Sequence, residues 1–193
     1  LYFRTLMYRI VNIIRNGIKP VFVLDGAAPD IKSTVLEKRQ KQLGHSGSSS
    51  TERQKFTTCS KKCIELIEAL GLPYIVNSGE AEQMCAWLNS SGKVDGCISD
   101  DGDCFLYGAK TVYRNYDQTK KDSTIERYRL ETIEDKLDLA RRDLIVYALL
   151  SGCDYNEAGV QGVGQKKTLS FIQTLKSTDN DVLTRLVYFI FKY

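Results

Sequence analysis

The chain has 193 residues, of which 42% are hydrophobic and 26% charged, with a formal net charge of +3. This is ordinary globular composition at about one domain's length, enough to bury roughly 70% of the unfolded surface without a disulfide or metal staple. It excludes a disordered chain; with no long apolar run and no charged leader, neither a membrane-spanning protein nor a secreted disulfide scaffold is expected.

The first sixteen residues, LYFRTLMYRIVNIIRN, place Phe3, Leu6, Met7, Ile10, Val11, Ile13 and Ile14 on one helical face, with Gly17 as the closing residue and Pro20 blocking continuation. Val21–Leu24 reads as a short buried strand ending in Asp25-Gly26. Ile31 to Gln42 predicts a basic helix, and 43–51 a Gly/Ser break. A helix follows over about 53–70, with Cys59, Cys63, Leu66, Ile67 and Leu70 inward and Gly71 ending it. Tyr74–Val76 predicts a strand, Ala81–Leu88 a helix opened by Asn77, Ser78 and Gly79, and Asp95–Ser99 a buried strand running into Asp101-Gly102-Asp103. Thr111–Tyr116 predicts a further strand, and Leu139–Leu150 and Gln165–Leu175 two helices joined by the glycine-rich GVQGVG. Strands alternating with helices predict an α/β fold with a mostly parallel central sheet and a helical C-terminal part. The chain opens on a helix without Met and stops inside an apolar periodic run, which reads as a domain cut at both ends.

Six cysteines lie in apolar stretches, without a second CxxC pair, and the one histidine, His45, lies in the Gly/Ser break. Reduced core thiols fit this usage better than a zinc site. Asn89-Ser90-Ser91 is a formal glycosylation sequon.

Charge is unevenly distributed. Residues 1–62 hold twelve Lys/Arg against four Asp/Glu, whereas Glu80 to Asp103 holds six acids and one lysine. Basic and acidic blocks side by side suit a polyanion held beside a cation-binding pocket; ordinary surface charge is the plainer reading. Asp25, Asp101 and Asp103 each follow a predicted strand, and ligands gather beyond the carboxyl ends of parallel strands. In an extended segment Asp101 and Asp103 face one side together. Glu80 and Glu82 would diverge by about 200° on a regular helix, so they share an aim only if Glu80 precedes the helix. Asp154 ends the LSGCD segment. Carboxylates this close repel each other unless a cation intervenes, and an all-oxygen set suits Mg²⁺ or Mn²⁺. Two such ions about 3.5–4 Å apart could promote attack by water on a phosphodiester. The alternative readings are turns at Asp25-Gly26 and Asp101-Gly102 and a capping box at Asn77 and Glu80.

Lys32 and Arg39, seven apart, fall near one helical face and could lean over such a site to stabilise phosphate charge; a solvated basic helix is the alternative. Gly159, Gly162 and Gly164, followed by Lys166 and Lys167, sit between two helices rather than after a strand. That context fits a turn whose backbone N–H groups hold a nucleic-acid backbone.

The segments VFVLDGAAPDIKS, GEAEQMCAWLN, VDGCISDDGDCFLYGAKTVYRNY and LLSGCDYNEAGVQGVG together resemble, in order, the flap endonuclease superfamily of structure-specific 5′ nucleases, most nearly its Gen-type Holliday junction resolvases. The resemblance implies a PIN-like nuclease core over residues 1–135 with a helical arch at about 30–62, and a helix–two-turn–helix region over 136–193. It implies a two-metal Mg²⁺ site, with Mn²⁺ able to substitute, at Asp25, Glu80, Glu82, Asp101, Asp103 and Asp154. It further implies catalytic roles at the scissile phosphate for Lys32 and Arg39, and a DNA-backbone contact at Gly159–Gly164 with a monovalent cation. Branched DNA as partner, a dimer on a junction, and a nuclear role in DNA repair and recombination also follow from it. Family members begin with an MG-containing N-terminus and a first strand ending in a catalytic Asp, neither of which this chain shows. A branched-DNA-binding module that does not cut, and a metal-dependent phosphatase of small substrates, are the rival readings.

Overall fold

The computed structural model describes residues 2–26, 49–117, 124–156, 158–176 and 181–192. Helix α1 (Tyr2–Arg15) buries Ile10 and Ile13, while Phe3, Met7 and Ile14 on the margins of the same face stay exposed. Gly17 closes it at φ +76°, its N–H bonded to the Ile14 carbonyl while the Ile18 N–H reaches the Ile13 carbonyl. Helix α2 (Ser49–Ala69) ends the same way at Gly71, with Gly71 bonded to Glu68 and Leu72 to Ile67. This paired bonding satisfies carbonyls left without a helical partner, and only a residue tolerant of left-handed backbone fits the turn. Cys63 and Ile67 of α2 are buried, and Cys59 and Leu66 half-buried. Leu70 does not point inward as expected: it lies beyond the last helical residue, where the closing turn rotates it into solvent.

Strand β1 (Phe22–Leu24) pairs in parallel with β2 (Tyr74–Val76), Phe22 opposite Tyr74 and Leu24 opposite Val76. Helix α3 (Ala81–Ser90) leads to β3 (Cys97–Ile98), which pairs in parallel with β4 (Thr111–Asp117). Between them a single helical turn, α4 (Asp103–Leu106), crosses over. Strand β5 (Thr124–Arg129) returns antiparallel to β4 and passes into helix α5 (Leu130–Leu137). The described strands therefore form a parallel pair and a mixed three-stranded sheet, and the fold class is α/β with mainly parallel pairing, as expected. Neither β5 nor α5 was expected. Every residue of β5 is exposed, so TIERYR carries no buried face to reveal its period.

Helices α6 (Arg141–Ser151), α7 (Gln165–Lys176) and α8 (Val182–Lys192) form the C-terminal part. Their core joins Leu139, Val146, Leu150, Ile172, Leu175, Val182 and Leu186. A second core of Ala86, Cys97, Cys104, Phe105, Ala109 and Val112 lies between α3, α4 and the three-stranded sheet. Leu144 of α6 packs against both cores. All six cysteines are free thiols, and Cys63, Cys97 and Cys104 are buried. Burial pushes the Cys85 thiol up to about 12. Asn89, the sequon asparagine, is also buried: its side-chain carbonyl accepts the N–H groups of Lys110 (2.7 Å) and Thr111 (2.9 Å), and its amide donates to the Val94 carbonyl at 3.1 Å. It is a structural residue that joins α3 to the start of β4.

Candidate active site

Asp25 lies one residue beyond β1, and its Oδ1 accepts the N–H of Ala81, the first residue of α3, at 2.7 Å. An N–H otherwise lacking a partner in the first helical turn thus meets a carboxylate from 56 residues away, where the helix dipole also favours negative charge. The Gly26 N–H bonds to the Gly79 carbonyl at 2.8 Å and the Asn77 N–H to the Leu24 carbonyl at 3.0 Å. A Cβ on Gly26 would lie 2.1 Å from the Asn77 carbonyl oxygen, so glycine permits the two loops to meet. The acids at the ends of β1 and β2 are held together by backbone.

Glu80 has extended backbone (φ −70°, ψ 137°) immediately before α3, while Glu82 lies in the first turn. This is the arrangement that frees the two from divergence. The capping-box reading of Asn77 and Glu80 is not what forms: the Asn77 amide donates to the Glu80 backbone carbonyl at 2.7 Å, and Glu80 makes no side-chain cap.

The Asp101–Asp103 expectation is corrected. Gly102 adopts right-handed helical backbone (φ −73°, ψ −19°) and Asp103 is the first residue of α4, so the segment is a turn and the alternation of an extended chain does not apply. Asp101 serves this turn, its Oδ1 accepting the Asp103 N–H at 2.8 Å. Its neighbour Asp100 anchors the loop to β4: the Asn115 N–H donates to Asp100 Oδ1 at 2.7 Å, and the Arg114 guanidinium donates to the Asp100 carbonyl.

Electrostatics join the loops. Burial raises the Glu82 carboxyl above its ordinary range, and the charges of Asp25, Asp101 and Glu80 push it the same way, against a lowering backbone hydrogen bond. Charges from three loops therefore bear on Glu82. Asp103 connects through its bond to Asp101, and Asp154 through its neighbour Tyr155, whose hydroxyl donates to Glu80 Oε2 at 2.7 Å. Tyr107 donates to the same oxygen at 2.6 Å. Among the described residues, no group of three or more His, Cys, Asp or Glu is gathered closely enough to hold a metal ion. The donor set is all carboxylate and mutually repelling, which fits a hard divalent cation in chemistry and charge; what is on view is proximity rather than a finished cage.

Gly159, Gly162 and Gly164 lie in the turn between α6 and α7, where the Val160 N–H bonds to the Leu150 carbonyl at 2.9 Å and Gly164 accepts the Thr168 N–H at 3.0 Å. The Lys167 ammonium folds back onto the Gly162 carbonyl at 2.8 Å, while Lys166 is exposed. Lys32 and Arg39 lie outside the described residues. Sequence reasoning missed Tyr107, Tyr155, Arg114 and Asn115. The two tyrosines carry one signal, adjacency, since Tyr155 follows Asp154 and Tyr107 closes the turn begun at Asp103; Arg114 and Asn115 carry none.

The chain carries the domains of the XPG class: the XPG N-terminal domain matches residues 1–45 and the XPG I-region residues 71–154. The chain belongs to the flap endonuclease superfamily, with strong similarity to its GEN-type members. It is 44% identical over 179 residues to the human flap endonuclease GEN homolog 1, covering 91% of this chain and 20% of that protein. Human GEN1 in complex with Holliday junction DNA superposes with a TM-score of 0.77 at 42% identity, over 91% of this chain and 43% of the other. The catalytic core of Rad2 with DNA substrate gives 0.74 at 34% identity, over 86% and 51%. Two further solved structures are a GEN-1 junction-resolving enzyme binding potassium (TM-score 0.65, 29% identity, 89% and 36% covered) and GEN1 with product DNA and Mg²⁺ (0.67, 25%, 96% and 42%). The chain spans about a fifth of the human relative's length.

Proposed function

We propose that the chain is the core of a Mg²⁺-dependent, structure-specific endonuclease that cuts branched DNA, a Holliday junction or 5′ flap, in nuclear DNA repair and recombination. The observation that carries this is the meeting of acid-bearing loops beyond the strands: Asp25, one residue past β1, accepts the N–H of Ala81 between Glu80 and Glu82, and Asp101 holds the turn that follows β3. Asp25, Glu80, Glu82, Asp101, Asp103 and Asp154 would hold two divalent cations, which supply positive charge for attack by water and for the leaving oxygen of a phosphodiester. The products would be 5′-phosphate and 3′-hydroxyl ends. Asp25 and Asp101 each spend one oxygen on a backbone N–H, which fixes the direction of the carboxylate before any cation arrives. Lys32 and Arg39 would stabilise charge at the scissile phosphate. The turn at Gly159–Gly164, with exposed Lys166 at the start of α7, would hold the duplex backbone without reading sequence, with a monovalent cation beside it. The relatives crystallised with junction DNA, Mg²⁺ and potassium support this assignment of partner and ions.

The test is a labelled-junction assay with Mg²⁺, comparing the chain with Asp101→Asn. Cleavage lost by about a hundredfold or more in the variant is the expected result, given what a transition-state charge contact is worth; equal cleavage refutes the site. A second reading, a junction-binding module that does not cut, is favoured by the lack of three converged ligands among the described residues. Junction binding without cleavage, even at high Mn²⁺, would select it.

A further inference from the structure

Glu80 Oε2 receives two phenol hydroxyls at once, from Tyr107 at 2.6 Å and Tyr155 at 2.7 Å, and the two hydroxyl oxygens lie 2.8 Å apart. All three side chains are partly buried. They come from three elements: the loop before α3, the residue that ends α4, and the turn after α6. That last turn is stiff, because Cys153 and Asn156 exchange backbone hydrogen bonds at 3.0 and 2.9 Å. It carries Asp154 and Tyr155 side by side.

Charge-assisted O–H···O⁻ bonds are short and directional, and two of them on one oxygen leave a carboxylate little rotational freedom. Three contacts share two protons here, so with both hydroxyls donating to Glu80 the negative charge stays on the carboxylate. One oxygen is thereby held in place, and with it the plane in which the carboxylate would meet a cation. Nothing in the ligand chemistry requires tyrosine at either position; a phenylalanine ring would fill the same space.

We propose that Tyr107 and Tyr155 are positioning residues for Glu80, and that Tyr155 ties the turn carrying Asp154 to the loop carrying Glu80 so that the two carboxylates are set as a unit. This rests on the metal-site reading above and specifies how that site is held. It also explains why a tyrosine of the C-terminal helical part reaches into the acidic rim: the placement of α6 on the core is read out at Glu80.

The experiment measures Mn²⁺ binding to the 193-residue chain, following free Mn²⁺ by electron paramagnetic resonance, for wild type, Tyr107→Phe, Tyr155→Phe and Glu80→Gln. Thermal unfolding is recorded in metal-free buffer. Each Phe variant is expected to bind Mn²⁺ about tenfold more weakly or worse, the range seen when a partner that orients a metal ligand is lost. In the Glu80→Gln background the same Phe substitutions should change affinity less than twofold, because their target is gone. Should Tyr155→Phe melt below the assay temperature, Tyr107→Phe alone decides, as it acts on the same oxygen. Wild-type affinity in well-folded Phe variants, or an undiminished Phe effect on top of Glu80→Gln, overturns the positioning role while leaving the metal site standing. Failure of the wild-type chain to bind Mn²⁺ overturns the metal site and this proposal with it.

Discussion

Replacing Gly159 with alanine probes how the turn between α6 and α7 is built. Gly159 sits at φ +57°, and a Cβ there would lie 2.5 Å from the Leu150 carbonyl oxygen and 2.7 Å from the Gly152 nitrogen. Both are backbone atoms at the end of α6, so neither can rotate away as a side chain would. The same Leu150 carbonyl accepts the Val160 N–H at 2.9 Å, and that bond must stretch if the turn backs off. Left-handed backbone costs a residue with a Cβ about 1–2 kcal/mol. Forcing extra volume into packed surroundings typically costs about 1–3 kcal/mol more. Gly159→Ala should therefore lose about 2–5 kcal/mol. Gly162 is the control: its φ is +78°, but a Cβ there meets nothing within 4 Å. Gly162→Ala should lose only the backbone part, about 1–2 kcal/mol. Urea and thermal denaturation followed by circular dichroism measure both, at about 2–4 °C per kcal/mol for a chain of this size. Equal destabilisation by the two substitutions would refute the close approach at Gly159 and reduce it to an ordinary left-handed turn residue.

Asn89→Ala should destabilise the chain by about 2–4 kcal/mol in the same denaturation assay, since it strands the N–H groups of Lys110 and Thr111 and the Val94 carbonyl; a loss under about 0.5 kcal/mol, the size of a surface substitution, would show that water replaces the side chain. Asp181 caps α8, accepting from the Thr184 hydroxyl at 2.7 Å and N–H at 2.9 Å, and pairs with Arg142 at 3.1 Å. These contacts, the Thr184 hydroxyl first, hold its carboxyl below the ordinary range. A depressed folded value means that the stabilisation is complete above the unfolded carboxylate range and fades as pH falls through the folded value. Asp181→Ala should therefore destabilise the chain at pH 7 by the roughly 1 kcal/mol typical of a lost N-cap, about 2–4 °C in melting midpoint, and the gap to wild type should shrink as the pH drops below about 4. A gap that holds constant into strong acid would show that the carboxylate charge contributes nothing.

What could be read from the chain and what could not divide along a physical line. Tyr74–Val76 and the start of α3 were legible because apolar runs meet glycine and asparagine there, and the condition that Glu80 precede the helix followed from helix geometry alone. Strand β5 was illegible for the converse reason, being exposed throughout. Asp103 shows a subtler limit. Its spacing from Asp101 was visible, but whether the segment ran straight or turned depended on Gly102, which is compatible with either, and on Asp101 accepting the Asp103 N–H. Acids can be counted in a sequence, whereas the hydroxyls on Glu80 are supplied by residues 27 and 75 positions away, marked only by standing next to Asp154 and at the end of the turn begun at Asp103. The carboxylates of such a site are thus its most legible part and their orientation its least. The present geometry sharpens the distinction: charges from three loops already bear on Glu82 while no three of the described acids share a point. On the metal-site proposal, closing that distance would require side-chain rotation about loops whose backbones are pinned by Gly26, Ala81 and Asn115. The energy for it would come from a cation's attraction for the carboxylates, which would relieve the charge now crowding Glu82.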